Sequence, residues 1–321
     1  MTKKKLFKKT SLAASRGSDR VKDFEISGPE MPTDQLARQM EGAGFQASEL
    51  AKAVQVLKEM KRDEECTVFL AFTANMVASG LRGVFAKLVR DGFCDAIITT
   101  GGSVDHDIIK CYDDYLLGSF AEDDIGLHRK GVNRIGNILV PNDRYVLFEE
   151  KVQPVLEKCY EEKKTWNGRE LVERLAKELC MKDKNSVLKA CVDKKVPVFS
   201  PGLIDSALGL NLYQFKTRKR DFALDAVGDM EELDQLVFAR KRTGALVCGG
   251  GISKHYTIAC NLLKGGLDYS VYVTTASEYD GSLSGAPARE AKSWGKIKEK
   301  GTTATVVGDA TIVLPLIVAG I

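Results

Sequence analysis

Histidine is scarce in this chain of 321 residues, with three in all, and tryptophan occurs only twice. The few imidazoles show no ligand-like spacing with the eight cysteines, so a metal site, and zinc in particular, is not expected. No two cysteines form a Cys-x-x-Cys pair, and several lie inside apolar runs. That pattern reads as reduced, buried thiols in a cytoplasmic protein rather than a disulfide framework. Long hydrophobic runs are also missing. The longest, Thr311–Ile321, is interrupted by Pro315 and is too short to span a bilayer; it predicts a buried C-terminal helix. The basic start, Met1-Thr-Lys-Lys-Lys-Leu-Phe-Lys-Lys9, has no apolar core behind it and does not read as a signal peptide. Neither sign of charge dominates, with 47 basic and 44 acidic residues, so no nucleic-acid-binding surface is implied.

What is present is enough apolar material, 44% of residues, for one large core or two ordinary ones. Residues 1–30 are polar, with Pro29 close by, and are expected to form a mobile arm. Residues 34–61 carry Leu36, Met40, Leu50, Val54 and Leu57 at positions that predict helix. From Thr67 a repeating pattern begins. Thr67-Val-Phe-Leu-Ala-Phe72 is a continuous apolar run, as expected of a strand covered on both faces. Val77, Leu81, Val84, Phe85 and Leu88 follow at helical spacing. Further strands are predicted at 95–100, 196–200, 244–248, 268–274 and 303–307, with a helix over 253–263. The stretch 105–195 is read as mostly helical and highly charged, broken at 131–141. Strands alternating with helices predict an α/β fold, one large Rossmann-like parallel sheet with helices on both faces, spanning 31–321 as a single domain.

Small polar residues gather where these strands end. Thr73-Ala-Asn75, Thr99-Thr-Gly-Gly-Ser103, Gly249-Gly-Gly251 and Gly308-Asp-Ala310 each follow an apolar run. Ligands of open α/β sheets bind outside the carboxyl ends of the strands. Glycine there allows close backbone approach, and a helix N-terminus offers free N–H groups to a pyrophosphate. The triple glycine does not fit the usual Gly-x-Gly-x-x-Gly spacing, so it reads equally as a tight strand-to-helix turn. His255 follows it; a histidine at a crevice mouth suits proton transfer. Lys296 closes the string Glu290-Ala-Lys-Ser-Trp-Gly-Lys296. Alone it would be a surface lysine, but Trp294 and Gly295 suggest a shaped pocket for an amine nucleophile, which must be neutral when it attacks. Asp280 and Glu290 would suit a cationic substrate, and Trp294 offers a cation–π face.

These strings resemble one family. Gly249-Gly-Gly-Ile-Ser-Lys-His255, Asp268-Tyr-Ser-Val-Tyr-Val-Thr-Thr-Ala-Ser-Glu-Tyr-Asp-Gly-Ser282 and Ser293-Trp-Gly-Lys296 look like deoxyhypusine synthase. So do Thr73–Gly80, Ile98–Gly102, Gly131–Asn137 with Val140-Pro-Asn142, and Phe199-Ser-Pro201; the resemblance covers roughly residues 65–318 and is nearest to archaeal members. It implies NAD-dependent oxidation of spermidine, attack on the resulting imine by Lys296, loss of diaminopropane, and transfer of the aminobutyl group to a lysine of the translation factor 5A precursor. It implies substrate-binding and proton-transfer work for His255, and pocket positions at Asp280, Gly281, Ser282, Glu290 and Trp294. Asn75, Thr100, Gly101, Gly102, Asp205, Gly250, Thr275, Ala276, Asp309 and Ala310 match NAD-contacting positions. A homotetramer with sites shared between paired subunits is implied as well. A related aminobutyl transferase acting on a small amine, similar to homospermidine synthase, is the second reading; a catalytically idle NAD-binding scaffold is a third, against which Lys296 and His255 speak.

The chain departs from the family pattern at the amine pocket. Eukaryotic members carry two adjacent glutamates after the Thr-Gly-Gly turn, where this chain has Asp105-His106-Asp107. Two pocket aspartates align with Leu210 and Leu283. Since a buried ammonium needs acceptors, the expectation is that His106 and its flanking acids, Asp105 and Asp107, take over the grip on the substrate; the alternative is a preferred donor with a different terminal group.

Overall fold

The computed structural model describes residues 20–321. Most of the arm expected over residues 1–30 therefore lies outside the described residues. We number the six strands of the main sheet β1 (Cys66–Phe72), β2 (Ala96–Ile98), β3 (Val198–Phe199), β4 (Arg242–Cys248), β5 (Leu267–Thr274) and β6 (Ile297–Val307). All their pairings are parallel, and the spatial order is β6-β5-β4-β1-β2-β3. The chain steps outward from β1 to β3, returns to the other side of β1 at β4, and steps outward again. This is the doubly wound arrangement, with its switch point between β1 and β4.

The continuous apolar runs have the cause expected of them. In β1 every residue is buried, with Leu70 and Phe72 facing one layer of helices and Phe69 and Ala71 the other. Leu246, Cys248, Val271 and Val273 continue the first face; Ala245, Val247 and Tyr272 continue the second. Two cores, one on each side of the sheet, result. β6 is an edge strand and alternates between buried and exposed residues.

Residues 34–61 are helical, as Thr33–Gln39 and Gln46–Arg62 joined by a short 3-10 turn. The helix Gln46–Arg62 packs on β6 and β5, and Thr33–Gln39 packs on the C-terminal helix Ala310–Gly320. That last helix buries Ala310, Leu314 and Ile317, though Ile312 stays exposed.

The stretch 105–195 is not simply helical. Leu116–Leu117, Val132–Ile135 and Ile138–Pro141 form a small antiparallel sheet, whose tight turn uses Gly136 at φ +62°. A two-stranded parallel pair also joins Thr165–Asn167 to Ala223–Asp225. Among the described residues no helix is long and apolar enough to cross a membrane, and no group of three or more His, Cys, Asp or Glu is placed to hold a metal ion.

Candidate active site

The carboxyl ends of β1, β4, β5 and β6 open into one cavity of about 810 Å³. Thr73 and Asn75 line it after β1, Gly249–Gly251 after β4, Thr274–Ala276 after β5 and Gly308–Ala310 after β6. The turn Ile135–Ile138 of the small antiparallel sheet supplies another wall. The cavity thus lies at the switch point, where an open α/β sheet takes its ligand. The residues that line it are locally fixed. Asp309 caps the helix Ala310–Gly320 by accepting from the Thr311 N–H at 2.7 Å and from its hydroxyl at 2.7 Å. Thr73 donates its hydroxyl to Asn75 Oδ1 at 2.6 Å.

The glycines have two different reasons. Gly249 has φ +87°, and a Cβ there would press on Thr73 Oγ1 at 2.9 Å. A Cβ on Gly250 would run into the side chain and backbone of Ser284. The close approach at Gly250 is therefore to another loop of the same chain, not only to a ligand. Ser284 Oγ accepts from the Gly251 N–H at 3.1 Å, tying that loop to the helix N-terminus.

Of the cofactor positions expected from the sequence, Asn75, Gly250, Thr275, Ala276, Asp309 and Ala310 share this cavity. Thr100, Gly101, Gly102 and Asp205 do not line it. They lie on the adjoining strand end: a Cβ on Gly101 would meet Ser206 Cβ at 2.6 Å and the Leu203 carbonyl at 2.8 Å, in the turn that carries Asp205. A Cβ on Gly102 would meet Ala74 Cβ at 3.0 Å, against the β1 end.

Lys296 and His255 come together. Lys296 Nζ lies 3.4 Å from His255 Nε2 and 5.2 Å from the centroid of the Trp294 ring. Lys296 is rooted just ahead of β6, where its carbonyl accepts from the Leu267 N–H and its N–H donates to the Ala291 carbonyl, both at 3.0 Å. His255 sits one turn into the helix Gly251–Cys260, whose first residue lines the cavity. Trp294 is two-thirds exposed, and Asp280, Gly281, Ser282 and Glu290 are exposed around it in chain. Asp280 Oδ1 accepts from the Ser282 N–H at 2.7 Å, and Gly281 has φ +75°. None of these residues lines the cavity of the strand ends.

Asp105 and His106, expected from the sequence to grip the substrate, lie away from the cavity of the strand ends. Both are buried. The carboxylate oxygens of Asp105 accept from the Ala207 and Leu208 N–H groups at 2.7 and 3.0 Å, closing the N-terminus of the helix Ala207–Arg218. Burial pushes its carboxyl up to about 7, against the pull of those two bonds. His106 Nδ1 lies 2.7 Å from the Tyr115 hydroxyl, and burial pushes the ring down to about 4. Asp107 is paired with Arg82 and accepts from Ser186 Oγ at 2.6 Å and from the Val187 and Leu188 N–H groups. Asp105 and Asp107 thus tie the helix Gly101–Ile109 to its neighbours, and His106 ties it to the loop residue Tyr115. Leu210 is exposed and Leu283 half-buried against the second core, so neither supplies a charge to the pocket.

The assignment for Asp105 has a measurable consequence. Between about pH 4 and 7 the folded state binds a proton on Asp105 that the unfolded chain does not, so this group stabilises the fold less as pH rises through that window. His106 acts in the opposite sense between about 4 and 6.5, because there the unfolded chain binds the extra proton. The separable expectation is in Asp105→Asn: across pH 4 to 7 the parent loses Tm relative to the variant. A difference in Tm that does not change with pH would contradict it.

Three residues that the sequence did not single out hold the site in shape. Lys254 is buried, and its ammonium donates to the carbonyls of Leu283 and Ala286, each at 2.7 Å, while lying 4.4 Å from the Tyr272 ring centroid. Burial pushes it down to about 8. Ser284 is the residue packed over Gly250. Gly266, at φ +95°, lies so close to the Gly295–Ile297 backbone that a Cβ would approach it within 2.8 Å. Their only sequence signals were adjacency to His255 and a Gly-Gly pair ahead of β5. In Lys254→Met the two carbonyls lose their donor, at roughly 1–3 kcal/mol for each buried group left unpaired. Hydrogen exchange over residues 282–287 is then expected to accelerate while the sheet stays protected; unchanged exchange there would remove this role.

A doubly wound sheet with a nucleotide-sized crevice at its switch point, and a lysine–histidine pair beside a tryptophan, defines an α/β enzyme with an amine available for chemistry. The chain matches the family described as deoxyhypusine synthase over residues 35–321. It is 42% identical to a probable deoxyhypusine synthase of Picrophilus torridus over 300 residues, covering 93% of this chain and 96% of the relative. It is 43% identical to one of Ignicoccus hospitalis, covering 94% and 95%. The crystal structure of a deoxyhypusine synthase homologue from Entamoeba histolytica shares the fold, with TM-score 0.64 and 20% identity over 91% of this chain and 93% of that one. The chain therefore belongs to the deoxyhypusine synthase family, a family of transferases that move an aminobutyl group.

Proposed function

We propose that the enzyme transfers the aminobutyl group of spermidine, through an imine on Lys296, to a lysine of the translation factor 5A precursor, with NAD as cofactor. The observation that carries this reading is the Lys296–His255 contact at 3.4 Å beside Trp294. The cavity at the strand ends fits a dinucleotide: it has the volume, the glycines that let backbone close in, and the N-terminus of the helix Gly251–Cys260 for phosphate. Asn75, Gly250, Thr275, Ala276, Asp309 and Ala310 would hold it there, with Thr100–Gly102 and Asp205 at the neighbouring strand end. When bound, NAD supplies the hydride acceptor for the amine and later the donor.

The chain's own residues do the rest. His255 accepts the proton that Lys296 must lose before its amine attacks. Trp294 presents a ring face to the cationic substrate, and the exposed Asp280 and Glu290 offer it negative charge. In this reading the Asp105 carboxylate caps the helix Ala207–Arg218 rather than the substrate amine.

The assembly is a homotetramer in this reading, with each site completed across a subunit pair. Two features support it: Lys296 and its neighbours do not line the cavity within one protomer, and Leu116, Leu117, Phe120, Ile204, Leu210 and Tyr213 leave large apolar areas exposed. A monomer by light scattering at micromolar concentration would overturn it. The test of function uses purified enzyme, NAD, labelled spermidine and the factor 5A precursor. Label is expected in one lysine of that protein as deoxyhypusine. Label passing only to a small amine would replace the acceptor, and no transfer at all would overturn the reading.

A further inference from the structure

One wall of the strand-end crevice comes from a part of the chain that holds none of the cofactor positions implied by the sequence. The small antiparallel sheet turns at Gly136, and Ile135–Ile138 line the crevice together with Phe120. Among the described residues Phe120 is the only aromatic one that does so, and the rest of the lining offers no flat ring.

Phe120 is 75% exposed, yet the loop that carries it is fixed. The Gly118 N–H donates to the Asn137 carbonyl at 2.8 Å, and a Cβ on Gly118 would meet Leu139 Cγ at 2.8 Å, so the loop sits tightly on the hairpin. On either side of Phe120, the Ser119 N–H donates to Glu122 Oε1 at 2.9 Å and the Ala121 N–H to Ser119 Oγ at 3.1 Å. The ring leans on the turn itself: a Cβ on Gly136 would lie 3.2 Å from Phe120 Cε1. Glycine at 136 therefore takes the left-handed turn and also leaves room for the ring.

A ring held this way is already ordered, so a flat partner that covers it spends little on fixing it. The helix N-terminus after β4 and the strand-end glycines account for the phosphates of a dinucleotide, but not for its two rings. Aromatic side chains accept such rings by stacking, whatever polar groups the rings carry on their edges. We propose that Phe120 stacks on one of the two flat rings of the dinucleotide and so sets how the cofactor lies in the crevice. This rests on the reading of the crevice as the NAD site.

Titration calorimetry on the full-length protein, with NAD and separately with ADP-ribose, tests it. With the assembly unchanged by light scattering, Phe120→Ala is expected to weaken NAD binding about tenfold. Phe120→Tyr, which keeps the ring, is expected to bind as the parent does. ADP-ribose then tells which ring is stacked: an equal loss places Phe120 on adenine, and parent-like affinity places it on nicotinamide. Parent-like binding of NAD by Phe120→Ala overturns the proposal and leaves the reading of the crevice intact. Weaker binding that comes only with a smaller assembly gives the ring to a subunit contact and overturns it too. If the parent itself binds no NAD, the reading of the crevice falls, and this proposal with it. Should Phe120→Ala not fold, Phe120→Leu, apolar but not flat, makes the same comparison.

Discussion

Lys296→Arg is expected to reduce aminobutyl transfer to background. Arginine keeps the positive charge beside Trp294 and His255, so binding of the cofactor should be little affected, but a guanidinium cannot form the imine. The adduct itself is directly observable. With spermidine and NAD present, borohydride should fix a butylamine on the parent enzyme, and peptide mapping should place it on Lys296. An adduct on Lys254, the buried lysine next to His255, would transfer the nucleophile's role there; full activity in Lys296→Arg would remove it from Lys296. Lys254 makes a demanding comparison, because burial favours its neutral form, yet its ammonium is committed to the carbonyls of Leu283 and Ala286.

Gly250→Val is expected to cost at least about tenfold in NAD affinity, roughly 1.4 kcal/mol. Ser284 already occupies the space a Cβ would need, so the 283–286 loop must move, and with it the hydrogen bond from Gly251 to Ser284 at the helix N-terminus. The sheet itself is untouched, because Gly250 lies beyond the last residue of β4. Titration calorimetry checks the affinity; unchanged binding would put the cofactor elsewhere. The same variant tests the sharing of sites. If the crevice of one subunit works with Lys296 of another, then at NAD concentrations too low for Gly250→Val to work, mixing it with inactive Lys296→Arg subunits restores activity in those sites that receive both intact halves. If the two halves come from a single chain, the mixture stays inactive.

The fold was readable wherever burial on both faces writes a continuous apolar run. β1, β4, β5 and the second half of β6 lie where Thr67–Phe72, Gly244–Cys248, Asp268–Thr274 and Thr303–Val307 pointed. The spatial order of the strands was not readable, because the pairing of Phe72 with Cys248 joins residues that carry no local mark of each other. The small antiparallel sheet was missed for a different reason. Leu116 and Leu117 are both exposed and its other strands are only partly buried, so no two-residue alternation of apolar and polar survives in the sequence.

The site divides in the same way. Lys296, Trp294 and His255 stand in distinctive strings, and the structure brings them into contact. The surroundings of Asp105 and His106 were not readable, because position after a Thr-Gly-Gly turn does not tell which way a helical residue faces. Asp105 points toward the backbone of Ala207 and Leu208, about a hundred residues on, and that neighbour could not be seen from the sequence. The same holds for Gly250 and Gly266, whose need for glycine is set by Ser284 and by Gly295–Ile297.

The return of β4 to the middle of the sheet also governs how the protein can be made. Arg240, just ahead of β4, bonds the carbonyl of Cys66 at the start of β1, 174 residues away. Until the ribosome has delivered that return strand, β1 has an open edge of seven residues that are buried in the finished protein, and no ligand crevice exists. Closure over so long a span is slow relative to local helix formation, and the waiting edge invites wrong pairings. Chains truncated before about residue 240 should therefore be retained by chaperones or precipitate rather than accumulate as a folded half, and cofactor added during synthesis can stabilise only the completed chain.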